Sequence, residues 1–276
     1  MIHIGEYNTL EIVRETEPGL FLSDKEDNEV LLPNRYVPES FEIGDELEVF
    51  VYLDNEERLV AVTDQPYITK GDFALLRCNA VTKFGAFLDW GMVKELFCPF
   101  KEQVFKMKEG GWYLVHCYLD EETERLVASS KTNRFLDNTN LTVEVFDEVD
   151  VIVSHPSEIG MNVIVNKKHQ GLIFKDNIFK DLSVGDRLKG FVKKIRKDNK
   201  LDIVLEQIGY RSIEPNADII LKELKDNGGY LELTDKSDPE LIKEVLQMSK
   251  KNFKKGIGNL YKQRLIEIKE DGIYLV

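Results

Sequence analysis

Three pairs of glycines with one fixed spacing constrain this chain more than any other feature. Gly19, Gly85 and Gly160 each open a short apolar segment, and Gly44, Gly110 and Gly185 follow at the same interval of 25 residues. Around each pair the same order recurs. One apolar segment precedes the first glycine (Leu10 to Arg14, Phe73 to Val81, Val151 to His155), and another lies between the glycines (Val30 to Leu32, Leu96 to Pro99, Leu172 to Phe174). A longer one follows the second glycine (Leu47 to Leu53, Trp112 to Leu119, Leu188 to Ile195). Charged turns at Asp54 to Arg58, Asp120 to Arg125 and Arg196 to Lys200 lead into closing strands at Leu59 to Val62, Leu126 to Ala128 and Leu201 to Leu205. Five short strands in roughly 60 to 70 residues, with one long connection between the third and fourth, predict a small Greek-key OB barrel, three times over. Strands in so small a barrel bend sharply, and glycine tolerates the bend without Cβ strain. Apolar residues on both faces of Trp112 to Leu119 suit a barrel whose outside touches a neighbour.

Beyond Tyr210 the pattern changes. Pro215 to Lys225 has helical spacing and stops at Gly228 and Gly229. Asp238 to Gln247 reads as a second helix, capped by Ser237 or Asp238 with Pro239 in its first turn, and Ser249 caps a third over Lys250 to Lys262. Ile266 to Lys269, the Asp271-Gly272 turn and Ile273 to Val276 read as a hairpin. Three helices and then a hairpin is the order of a winged helix. The expected architecture is mainly β with an α+β end. Barrels occupy residues 1–65, 66–140 and 141–210 and a winged helix occupies 211–276, with short junctions near Pro66 and Asn138 that favour a compact string.

Charge is spread unevenly along this string. Of 37 basic and 50 acidic residues in the 276, a net of −13, residues 1–65 hold 4 and 17, while the later modules balance at 10 and 10, 11 and 11, and 12 and 12. The whole excess of acid therefore sits in the first module, which repels a polyanion and suits either a basic protein partner or plain solubility. No run approaches the roughly 20 apolar residues of a membrane span. Glu6 falls where a secretory signal would be apolar, so a cytoplasmic protein is expected. Cys78, Cys98 and Cys117 fit neither a disulfide framework nor paired zinc ligands, and His3, His116, His155 and His169 have no zinc spacing. With no paired carboxylates, phosphate loop or nucleophile motif, no enzyme is expected, and no cofactor or metal.

In the second repeat, the string Val81-Thr82-Lys83-Phe84-Gly85-Ala86-Phe87-Leu88-Asp89-Trp90-Gly91 resembles the strand-turn-strand signature of S1 RNA-binding domains. Together with Phe253 to Tyr261 (FKKGIGNLY) and the order of modules, it makes nearly the whole chain resemble the conserved virulence factor B family of bacterial S1-like proteins. That resemblance implies RNA binding and an influence on gene expression, without catalysis. By position it implies a nucleic-acid face that uses Phe84 and Phe87, with Asp120 and Arg125 around the last turn. The histidine it would place on the third strand falls at Cys98. The matching pairs are Pro18 and Phe21 in repeat one and Ile159 and Asn162 in repeat three, so those repeats are expected to have kept the barrel and lost most of the platform.

The residues themselves allow more than one reading. Ala86 and Leu88 can fill the core while Phe84 and Phe87 face out, although spacing alone also suits core phenylalanines. Asp120 and Arg125 equally suit a pair with each other. Lys83 adjoins the first ring. Lys250, Lys251, Lys254 and Lys255 lie on the third helix, the usual nucleic-acid face of a winged helix, opposite a stripe of Phe253, Ile257, Leu260 and Tyr261. A solvated helix surface has the same pattern. Lys193, Lys194 and Lys197 sit on the fourth strand and last turn of repeat three, where lysines also protect an exposed edge. Trp90 and Trp112 read as packing residues, and Cys98 as an inert, half-buried thiol. The expected partner is single-stranded RNA, bound by a monomer, with the acidic first module as a candidate site for a protein. Two other readings stay open: a DNA-binding regulator acting through the winged helix, and an adaptor for a ribosomal or polymerase partner.

Overall fold

The computed structural model describes residues 1–178, 181–205 and 215–276. Each repeat closes into a five-stranded barrel. Barrel 1 comprises β1 (Tyr7–Thr16), β2 (Gly19–Ser23), β3 (Glu29–Pro33), β4 (Glu46–Leu53) and β5 (Leu59–Val62), ordered β1-β2-β3-β5-β4 and closed between β4 and β1. Only β3 and β5 run parallel in it. Barrel 2 repeats the order with β6 (Phe73–Val81), β7 (Gly85–Asp89), β8 (Leu96–Pro99), β9 (Trp112–Asp120) and β10 (Arg125–Ser129). Barrel 3 does so with β11 (Glu148–Ser157), β12 (Gly160–Val165), β13 (His169–Phe174), β14 (Arg187–Ile195) and β15 (Leu201–Val204). A short 3-10 turn follows the third strand each time, at Asn34–Tyr36, Phe100–Glu102 and Lys175–Asn177.

The repeated glycines divide into two physical roles. A Cβ on Gly19, Gly85 or Gly160 would collide with the carbonyl oxygen of Leu32, Cys98 or Ile173 on the adjacent strand. Close approach of backbones, more than the bend expected from sequence, is what these positions require. Gly44, Gly110 and Gly185 sit at φ of +99°, +79° and +91°, where an L side chain is strained, and of the first set only Gly19, at +151°, shares a positive φ.

Barrels 1 and 2 share one apolar core. Trp90 of barrel 2 packs edge-on against Phe50 (ring centres 5.8 Å apart) and Tyr52 (5.9 Å) of barrel 1, a burial that contributes about 4 kcal/mol. Barrels 2 and 3 meet through Phe73, Leu114, Ile152 and Ile164, with Lys167 Nζ 2.7 Å from the Asp72 carboxylate. Trp112 does not join this contact. It stands 62% exposed at the outer end of β9, opposite exposed Arg77, because the neighbour covers that strand only from Leu114 onward.

The last module has a core of its own. It contains α1 (Pro215–Asp226), β16 (Tyr230–Leu231), α2 (Pro239–Leu246), α3 (Lys250–Lys262), β17 (Ile266–Ile268) and β18 (Ile273–Leu275). Asp238 accepts a hydrogen bond from the Glu240 amide and Ser249 one from the Asn252 amide, capping α2 and α3. β16 joins the hairpin as a third strand, in the order β16-β18-β17. Two residues are too few for periodicity to reveal it. The buried stripe of α3 steps from Ile257 to Leu260, leaving Tyr261 at its edge and 57% exposed rather than in the core. The expected junction at 210 and 211 lies outside the described residues. Among those described, no helix is long and apolar enough to cross a membrane.

Candidate nucleic-acid interface

Strand register in barrel 2 aligns one residue from every strand: Ala80 on β6, Phe87 on β7, Phe97 on β8, Val127 on β10 and Tyr118 on β9. Alternation of period two puts the row on one face, with Ala86, Leu88 and Cys98 buried on the other. The rings of Phe87 and Phe97 lie 5.1 Å apart and tilted by 40°. Tyr118 leans on Phe135 at 5.3 Å, and the Arg134 guanidinium lies over both. Phe84, on the turn before β7, is 66% exposed, with Lys83 Nζ 4.9 Å above its ring. Phe84, Phe87, Phe97 and Tyr118 line a groove of about 970 Å³ that Leu53, Asn55 and Glu57 of barrel 1 also border.

Two expectations about this face change. Cys98, placed there by position, is fully buried, and burial pushes its thiol up to about 12. The outward residue is Phe97, one position earlier, and one step along a strand exchanges its faces. Asp120 and Arg125 oppose each other across the hairpin but do not pair. Arg125 donates to the Glu57 carboxylate of barrel 1, and Asp120 accepts from the Thr123 hydroxyl at 2.6 Å. Lys94 Nζ donates to the carbonyl of Asp54 at 2.6 Å, and burial, helped by nearby Arg125, holds its ammonium below the usual lysine range. One turn of barrel 1 thus occupies both cations at this end of the groove. Phe97 and Tyr118 go unmarked in the sequence, yet alternation counted outward from Gly85, which faces Pro99, reaches Phe97 as the partner of Phe87.

The other barrels carry the same row in altered form. In barrel 1 it reads Arg14, Phe21, Leu31, Val60 and Tyr52. Contrary to expectation it is aromatic, but it is covered: the Arg14 guanidinium sits 4.1 Å from the Phe21 ring centre, and Tyr52 is buried under Trp90. In barrel 3 the row reads His155, Asn162, Leu172, Asp202 and Lys194, with neither Phe nor Tyr.

The remaining lysines lie away from the groove. Lys193, Lys194 and Lys197 are exposed on barrel 3 with no ion pair among the described residues, whereas Lys189, Arg196 and Lys200 pair with Asp150, Asp202 and Asp198. On α3, Lys250 Nζ donates to the carbonyls of Ser237 (2.7 Å) and Lys236 (3.3 Å), and Lys254 Nζ lies 3.9 Å from Asp235. Lys251 and Lys255 are exposed. Lys250 and Lys254 are therefore turned partly toward their own domain.

Comparison with known proteins adds domain identities. Residues 218–275 match the CvfB-like winged helix domain and residues 4–64 match the S1 domain, both of nucleic-acid-binding type. The S1 match falls on the acidic first barrel rather than on the second, where the Phe-Gly-Ala-Phe string lies. Bacillus subtilis YitL is 28% identical over 94% of this chain and 89% of its own length. Conserved virulence factor B of Staphylococcus epidermidis is 24% identical over 99% and 94%. A Streptococcus pneumoniae multidomain protein with nucleic acid binding domains aligns over 99% of this chain and 98% of its own, at 23% identity and a TM-score of 0.47.

Proposed function

We propose that this chain, similar to conserved virulence factor B over 99% of its length and carrying a CvfB-like winged helix domain, is a member of that family, that it binds single-stranded RNA without altering it chemically and that it acts on gene expression after transcription. The observation that carries this reading is the open aromatic row of barrel 2, Phe87, Phe97 and Tyr118, with Phe84 exposed at its end. Flat rings on a groove wall stack unpaired bases of any sequence, at about 1 to 3 kcal/mol per base. Lys83 and Lys101 at the rim meet the phosphates. Lys193, Lys194 and Lys197 of barrel 3 and Lys250, Lys251, Lys254 and Lys255 of the winged helix add weak sequence-independent contacts, which linkage in one chain makes effective. Asp120 and Arg125 border the groove, with Arg125 available only when Glu57 releases it. The protein acts as a cytoplasmic monomer under this proposal, with the acidic barrel 1 directed at a protein surface.

Fluorescence anisotropy with a labelled single-stranded RNA tests the reading. Phe84→Ala/Phe87→Ala is expected to weaken binding at least about tenfold for every sequence, with affinity falling steeply as salt rises. Unchanged affinity in that variant removes the stacking platform. Duplex DNA titrated at the same salt is expected to bind more weakly. Tighter duplex binding would move the function to the winged helix.

A further inference from the structure

Barrel 2 contains three aromatic and lysine neighbours in sequence, Lys83-Phe84, Phe100-Lys101 and Phe105-Lys106. The fold gathers them at one end of the groove. The Phe100 amide donates to the Phe84 carbonyl at 3.4 Å, Lys106 Nζ lies 5.9 Å from the Phe100 ring centre, and Lys101 lines the groove beside Phe84. The segment that follows is anchored from below. The Gln103 side chain donates to the Cys98 carbonyl and accepts from the Met107 amide, both at 2.9 Å, and Met107 is buried. The Val104 amide donates to the Ser130 hydroxyl (2.9 Å) and the Lys108 amide to the Tyr113 hydroxyl (2.8 Å). Anchored on both sides, the segment holds Val104, Phe105 and Lys106 outside, with Phe105 81% exposed. A large apolar ring fixed in water on a pinned segment, next to two further exposed phenylalanines, marks a contact surface.

Charge selects what that surface contacts. Lys83, Lys101, Lys106 and Lys108 make no ion pair among the described residues. At the opposite end of the groove Arg125 is held by Glu57, and the turn carries Asp120, Glu121, Glu122 and Glu124. Unpaired cations interleaved with exposed rings match a polyanion that also presents flat faces, which is a nucleic acid with unpaired bases. An acidic peptide supplies the charge without the faces. In barrel 1 the repeat sets Glu39 at the position of Phe105, Ser40 at that of Lys106 and Glu42 at that of Lys108, while Arg35 keeps the base of Lys101.

We propose that the bound strand leaves the barrel 2 groove at its Phe84 end, away from barrel 1, and crosses residues 100–106. It stacks a base on Phe105 and sets phosphates against Lys101 and Lys106. This path rests on the groove reading above and extends it by one further binding position. The test compares oligoribonucleotides of about four and about twelve nucleotides, fluorescein-labelled, against the full chain. Phe105→Ala and Lys101→Ala/Lys106→Ala alter exposed side chains, and unchanged thermal melting checks that the fold is intact. Phe105→Ala is expected to raise Kd at least about fivefold for the longer strand and to leave the shorter one unchanged, and the double lysine variant is expected to flatten the salt dependence by about two contacts. If Phe84→Ala/Phe87→Ala weakens both strands while Phe105→Ala binds the longer strand like the parent, the path is wrong and the groove reading stands. If none of the variants weakens either strand, both fall.

Discussion

Barrels 1 and 2 set the same outer row on the same frame, and only barrel 2 leaves it open. Phe21 and Phe87 occupy one position, Tyr52 and Tyr118 another. In barrel 1 the first ring lies under Arg14, which Glu29 clamps from β3, two strands over, and the second lies under Trp90. In barrel 2 the same positions face a groove that barrel 1 borders with the end of β4 and the β4–β5 turn. Barrel topology decides where a platform can stand, and neighbouring side chains decide whether it is available. Barrel 3 completes the series from the other side, with Asn162, Leu172 and Lys194 where barrel 2 has Phe87, Phe97 and Tyr118.

The shared frame is where the comparison is easiest to break. Gly85→Ala drives a Cβ into the Cys98 carbonyl and the Cα of Pro99, both backbone atoms that cannot rotate away. We expect a loss of about 3 to 4 kcal/mol in denaturant unfolding, where Gly44→Ala, in open space at φ +99°, costs about 1 to 2. Equal losses at the two positions would mean that backbone conformation, not strand approach, is what all three barrels have in common.

A second difference lies in an equivalent ring pair. Barrel 1 has Tyr7 against Phe50 (5.7 Å) where barrel 2 has Phe73 against His116 (4.5 Å). His116 is buried, its Nδ1 lacks a hydrogen-bond partner, and burial pushes its imidazole down to about 4 from an ordinary value of 6.5. Between those values the unfolded chain binds a proton that the folded barrel refuses. Stability present above pH 6.5 is therefore lost as pH falls toward 4, by up to about 3 kcal/mol from this residue. His116→Phe, which copies barrel 1, is expected to remove that part of the slope in urea melts taken from pH 7 to 4. An unchanged slope would assign the pH dependence to other groups.

The repeat made the frame legible. Equal glycine intervals, alternation and a charged turn before each closing strand mark five strands three times, since period two and turn chemistry are local properties. Ser249 and Asp238 marked the helix starts for the same reason. What stayed hidden was decided between modules. That Arg125 meets Glu57, 68 positions away, that Trp112 stays bare while Trp90 is covered, and that barrel 1 hides an aromatic row all depend on how one barrel sits on the next. The exchange of Cys98 for Phe97 is of another kind. It is an error of one residue in register, which the alternation Leu96 in, Phe97 out, Cys98 in would have corrected.

The smallest effect gives the most specific information about the comparison. If barrel 1 limits the groove of barrel 2 by holding Arg125, then Glu57→Ala should strengthen binding of single-stranded RNA, by about three- to tenfold at low salt, as a guanidinium is returned to the rim and a repelling carboxylate is removed. Both partners of this pair are about half exposed, so the same change should move stability by less than about 1 kcal/mol. The gain should shrink as salt screens the added charge, and Arg125→Ala should abolish it. Tighter binding that persists in the Glu57→Ala/Arg125→Ala double variant would mean that the acid acts by repulsion alone. Unchanged binding in Glu57→Ala would place the strand wholly on the Lys83 and Lys101 side, leaving barrel 1 with no part in the site.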